Sequence, residues 1–124
     1  MNTNRIQISE HFSLHEFQCR HCGQVKLHPS LLAKLQTLRH QLGTPLVITS
    51  GYRCEAHNRT VGGATSSYHV QGMAADIAAG PTNLSVQSLA DYCQQMGFGG
   101  VGGYGQQGFV HVDVRPGTGP VRFR

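Results

Sequence analysis

The stretch Ser66-Ser-Tyr-His-Val-Gln-Gly-Met-Ala-Ala-Asp-Ile77 decides how the rest of the chain is read. It turns from a polar, glycine-bearing loop into a run of alanines that holds one carboxylate, Asp76. "MAADIAA" (73–79) alternates as a strand does. Ile77 then points to a core, while Asp76 lies between Ala74 and Ala78 on the other face. A carboxylate among tightly packed alanines is costly unless a positive partner meets it. A metal ion is one such partner, and His69 precedes Asp76 by seven residues.

The second decisive stretch is "GFVHVDVR" (108–115). The two-residue period places Val110, Val112 and Val114 on a core face and His111, Asp113 and Arg115 on the other. Asp76 and His111 are therefore expected to face the same way, over a floor that the alanines keep open. His69, Asp76 and His111 form a two-nitrogen, one-oxygen set. Three protein ligands with an open fourth position is the pattern of catalytic zinc.

Working outward, "SLHE" (13–16) is a capping box for a short helix. "HPSLLAKLQTLRHQLG" reads as the first full helix, with Leu31, Leu35, Leu38 and Leu42 on one face and Gly43 as its stop. "PLVITSGYR" is a strand that turns at Gly51, and 55–68 reads as a long loop. "LSVQSLADYCQQMG" is a second helix with Val86, Leu89, Cys93 and Met96 inward. The glycine-rich segment from 99 to 115 reads as a hairpin turning near Gly105 to Gly108. This order predicts an α+β fold: a small, mostly antiparallel sheet with helices on one face.

The 124 residues, 39% of them apolar, fit one domain (1–124), with 1–12 and 118–124 as loosely ordered ends. A net charge of +4 is modest. Without an aromatic-basic stripe it argues against nucleic acid and leaves attraction to an anionic polymer open. No segment is apolar enough to span a membrane or to serve as a secretion signal, so the expectation is a chain made in the cytoplasm that acts outside only after release. A monomer is expected. Of the four cysteines, Cys19 and Cys22 form a C-x-x-C unit. With Cys54 and Cys93 it offers a structural zinc site or two disulfides, and Cys93 on an apolar helix face also reads as a buried core residue.

"SGYR" (50–53), "HNRTVGGATSSYHVQGMAADI" (57–77) and "GFVHVDVR" together resemble the M15-type zinc D-alanyl-D-alanine carboxypeptidase and endolysin family, which shares its fold with Hedgehog domains. The S-x-H-x-x-G-x-A-x-D pattern runs from Ser67 to Asp76, and the resemblance covers about residues 12–115. It implies one catalytic Zn2+ on His69, Asp76 and His111, and hydrolysis of amide bonds in peptidoglycan stem peptides. It implies further that Arg53 stabilises the developing oxyanion and, with Ser67, binds substrate. Several branches carry a basic or acidic side chain three residues before the last zinc histidine. Here that position is Gly108. Asp113 is the expected general base in its place, with orientation of a ligand histidine as its other reading, and Glu55 and His57 as further base candidates. A chain without a working base would instead be a zinc-bearing module that binds wall peptides without cutting them.

Overall fold

The computed structural model describes residues 4–117 and 119–124. Among these residues, three α-helices and five strands follow in the order α1 (Pro29–Leu42), β1 (Ile48–Ser50), α2 (Glu55–Thr60), β2 (Ala74–Ala78), α3 (Val86–Met96), β3 (Gly100–Tyr104), β4 (Phe109–Asp113) and β5 (Val121–Phe123). One sheet contains all five strands in the order β1-β2-β4-β3-β5.

The helices begin and end where their sequence signals stand. Pro29 opens α1 beneath a His28 cap, and Gly43 ends it in the left-handed conformation. Ser85 caps α3 by accepting from the Ser88 N–H. Leu31, Leu35 and Leu38 of α1 share one core with Leu89, Ala90 and Cys93 of α3. The inner sheet face completes that core with Ala75, Ile77, Val101, Val110 and Val112, and Phe12 and Phe17 close it from the N-terminal segment.

Three features depart from the sequence reading. The sheet is mixed, because β5 runs parallel to β3 while the β1–β2, β2–β4 and β3–β4 pairs are antiparallel. A mostly antiparallel sheet was the expectation because β5 lies in the segment assigned to a loose end. "VRF" is too short to announce a strand by itself, and it is fixed by the Gly99 carbonyl, which accepts from the Val121 N–H at 2.8 Å. Thirdly, the segment read as a long loop opens with α2. The Cys54 sulfur caps that helix by accepting from the His57 N–H at 3.4 Å, a role for which serine or aspartate is the usual signal.

Gly51 links the sheet to the N-terminal segment. The Tyr52 N–H donates to the Phe17 carbonyl at 2.8 Å, so the two backbones touch here. A Cβ on residue 51 would lie 2.7 Å from both Cα and O of Phe17. Both are backbone atoms of a fully buried residue, so neither can swing away. Gly51→Ala is therefore expected to destabilise the fold by about 1–3 kcal/mol through overpacking. Urea denaturation checks this, and an unchanged midpoint would contradict the close approach.

Candidate metal centre

The site is built on one row across the sheet. Ser50 pairs with Asp76, Asp76 with His111, His111 with Gly102, and Gly102 with Phe123. Alternation along each strand turns these side chains away from the valine-rich core. His69 reaches the row from the loop before β2. Its backbone N–H donates to Ser67 Oγ at 3.2 Å, and its carbonyl accepts from the Arg53 N–H at 3.2 Å. One donor atom each from His69, Asp76 and His111 lie within 4.8 Å of one another.

The hydrogen bonds behind the two imidazoles fix their orientation. His69 Nδ1 lies 2.7 Å from the Gly51 carbonyl, which can only accept, so Nδ1 carries the proton. Nε2 is left facing Asp76 Oδ1 at 3.2 Å. His111 Nε2 lies 2.8 Å from Asp113 Oδ2, and its Nδ1 faces the same Asp76 Oδ1 at 3.2 Å. Two ring nitrogens and a carboxylate oxygen thus converge on one point, with His69 and Asp76 only 3% and 5% exposed. Electron-rich atoms this close require a positive centre between them, either a proton or a cation. The donor set fits zinc: two imidazoles and a carboxylate, each imidazole backed by an oxygen acceptor.

Asp113 does not lie where the sequence expectation of a general base needs it. It is wholly buried behind His111. Arg115 donates to it three times, from its backbone N–H at 3.1 Å, Nε at 2.9 Å and Nη2 at 2.7 Å. Burial would raise its pKa, but these bonds and the one from His111 hold it well below the usual carboxylate range. Both of its oxygens are occupied, and it is not among the described residues that line the cleft, an arrangement that suits a carboxylate orienting His111. Glu55 and His57 are no better placed. Both sit on α2, and the His57 ring stacks on His21 with centroids 6.1 Å apart, outside the cleft.

Arg53 and Ser67 do line the cleft. Arg53 Nε donates to Ser50 Oγ at 3.2 Å and Nη1 to Asn58 Oδ1 at 3.2 Å, while Nη2 lies 3.4 Å from Asp76 Oδ2. The guanidinium is thereby held beside the three donors. The open cleft above them encloses about 460 Å³. Its outer wall was not foreseen in the sequence. Arg115 stacks over Tyr68 at 4.9 Å from the ring centroid, Tyr104 and Phe109 stack on each other at 4.6 Å, and the Phe123 ring lies 5.3 Å from that of His111. The glycines of β3 leave the room for this: a Cβ on Gly102 would collide with the Phe123 ring, and one on Gly100 would meet the Arg115 guanidinium at 2.6 Å.

Fold and site together invite comparison with known proteins. The sequence model of the Peptidase M15 family matches residues 10–113. The chain belongs to the M15 peptidase family. It is similar to the peptidoglycan L,D-endopeptidase MepK of Escherichia coli (strain K12), with 34% identity over 116 residues, 87% of this chain and 60% of that protein. It is also similar to the zinc D-Ala-D-Ala carboxypeptidase of Streptomyces albus G, 38% identical over 88 residues, 69% of this chain and 34% of that protein. A probable MepK of Haemophilus influenzae is 35% identical over 106 residues, 78% of this chain and 53% of that protein. The chain spans less than two thirds of the length of each of these relatives.

Two outcomes follow from this geometry. Asp113→Asn removes the anion behind His111 and is expected to weaken zinc binding about 10- to 100-fold in a competition titration. Unchanged zinc affinity with abolished turnover would restore Asp113 as the base. The metal-free protein should also show a characteristic pH dependence. For His111, burial lowers the pKa but the bonds to Asp113 and Asp76 outweigh it, so the value rises above 6.5. Its contribution to stability is complete below 6.5 and is lost as pH climbs through the raised value. For Asp76 and Asp113 the values fall below 3.8, and their contributions are lost as pH drops beneath it. Chelator-treated protein should therefore melt highest between about pH 4 and 6.5. A melting temperature that rises steadily above pH 7 would contradict this.

Proposed function

We propose that this chain is a zinc-dependent peptidase that hydrolyses an amide bond in peptidoglycan stem peptides, acting as a single-domain monomer with the Hedgehog/DD-peptidase type of fold. The observation that carries the reading is the convergence of His69 Nε2, Asp76 Oδ1 and His111 Nδ1 under an open cleft, with Arg53 beside them. The similarity to a peptidoglycan L,D-endopeptidase and to a zinc D-Ala-D-Ala carboxypeptidase supports the same substrate class.

His69, Asp76 and His111 would hold the ion, which when bound polarises a carbonyl and lowers the pKa of water. The remaining work falls to the chain's own groups. Arg53 presents a permanently charged, planar donor to the oxyanion that forms when the amide carbon becomes tetrahedral. Ser50 and Asn58 hold it in place, so little reorganisation is needed as the charge develops. Ser67 lines the cleft and fixes the backbone of His69. The aromatic wall of Tyr68, Tyr104, Phe109 and Phe123 limits water at the site and offers apolar contact to the small side chains of a stem peptide.

One observation favours the binding-module reading as the alternative. Among the described residues that line the cleft, Asp76 is the only carboxylate, and the other neutral proton-carrying groups besides the histidines are serine hydroxyls and the phenols of Tyr68 and Tyr104. No carboxylate other than Asp76 is among the described residues of the cleft to act as a base, and the two readings separate on turnover.

The test is incubation of zinc-loaded protein with purified peptidoglycan, followed by mass analysis of the released fragments. A new amide cleavage product supports the peptidase. Stoichiometric zinc and saturable peptide binding without any product would replace it with the binding module. Arg53→Lys keeps the charge and loses the fork. It is expected to lower kcat by about 10²- to 10³-fold with zinc content unchanged.

A further inference from the structure

A second group of donors lies outside the cleft. The sulfurs of Cys19, Cys22 and Cys54 lie within 4.8 Å of one another. For a tetrahedral ion with metal–sulfur bonds of about 2.3 Å, the sulfurs would stand about 3.8 Å apart. The three thiols need to close by no more than about 1 Å to reach that spacing. His21 brings Nδ1 to 3.5 Å from the Cys54 sulfur. From this arrangement we infer a structural zinc site, separate from the proposed catalytic one, with Cys19, Cys22 and Cys54 as ligands and His21, now against the Cys54 sulfur, turning in as the fourth.

The backbone around the sulfurs is shaped for thiolates. The Cys54 N–H donates to Cys19 Sγ at 3.4 Å, and the His57 N–H to Cys54 Sγ at 3.4 Å. The C-x-x-C segment folds back on itself, with the Gly23 N–H donating to the Cys19 carbonyl at 2.9 Å and the Cys19 N–H to the Gln24 carbonyl at 2.7 Å. Gly23 takes φ +75°, which lets the knuckle close. Disulfides account for the cluster less well. Three thiols are gathered, so any one bond leaves a thiol over. The fourth cysteine, Cys93, is fully buried in the apolar core on α3, where burial pushes its thiol up to about 12. Two disulfides, one of the arrangements the sequence left open, are therefore not formed in this fold, in which all four thiols are free.

The site has a structural consequence. It joins the N-terminal knuckle to the residue that directly follows Arg53 and caps α2. A four-ligand closed ion there would pin the backbone from which the guanidinium reaches the cleft, where loops otherwise move most freely.

The inference does not depend on the proposed peptidase activity, and its test reads metal content and spectra. Full-length protein is purified under reducing conditions with zinc, and bound zinc is counted. Two equivalents are expected for wild type. One is expected for His69→Ala/His111→Ala, and one for Cys22→Ser, whose thiol is exposed and whose replacement spares the core. Cobalt substitution identifies the ligands. Thiolate-to-cobalt charge-transfer absorption should persist in His69→Ala/His111→Ala and vanish in Cys22→Ser. Should Cys22→Ser fail to fold, the spectrum of the histidine variant still decides. A single zinc in wild type that is lost with the two histidines, or the absence of thiolate charge transfer in that variant, would overturn the site. So would a disulfide among Cys19, Cys22 and Cys54 in protein prepared with zinc under these conditions.

Discussion

The structure depends on one buried anion. Asp76 lies in the second strand among Ala74, Ala75 and Ala78, with two histidine nitrogens within 3.2 Å of one of its oxygens and a guanidinium near the other. Such a charge is tolerated only where positive partners are held in place before it. Several irregular features of the fold do that holding. Gly51 approaches Phe17 so that its carbonyl can fix His69, Ser50 and Asn58 fix Arg53, and Asp113 fixes His111.

The supporting groups form two layers. Imidazoles and guanidinium touch Asp76, and behind them stand acceptors that are themselves satisfied. The Asp113–Arg115 pair is the clearest case. An ion pair buried without further bonds would be a liability, but three donors from Arg115 and one from His111 occupy the Asp113 oxygens. Arg115 in turn is covered by Tyr68 and Phe123. The glycines of β3 make that possible by offering no side chain of their own on this face. The segment that reads as a glycine-rich hairpin forms that hairpin and also backs the site.

Much of this was legible in the sequence, and the misses have physical causes. Alternation in "MAADIAA" and "GFVHVDVR" was enough to put Asp76 and His111 on one face, because a strand's period leaves no other choice. Their direct pairing across β2 and β4 is then a matter of register. The choice between the two readings of Asp113 was not legible. Period two puts it on the site face, and only the three-dimensional position of Arg115 shows that its oxygens are used up. Helix α2 was missed because its cap is a cysteine sulfur. Strand β5 was missed because three residues carry no periodicity, and its place is set by the Gly99 backbone rather than by its own side chains. The aromatic wall was missed because Tyr68, Tyr104 and Phe123 are far apart in the chain and meet only over the cleft.

In the proposed peptidase, three convergent donors would hold the metal through particular atoms. Anomalous diffraction at the zinc edge from crystals grown with zinc tests it most directly. A peak is expected about 2.0–2.2 Å from His69 Nε2, Asp76 Oδ1 and His111 Nδ1, with a fourth position open to the cleft and Asp113 still bound to His111 Nε2. No peak among these atoms, or an ion held through His111 Nε2 with Asp113 as a ligand, would contradict it.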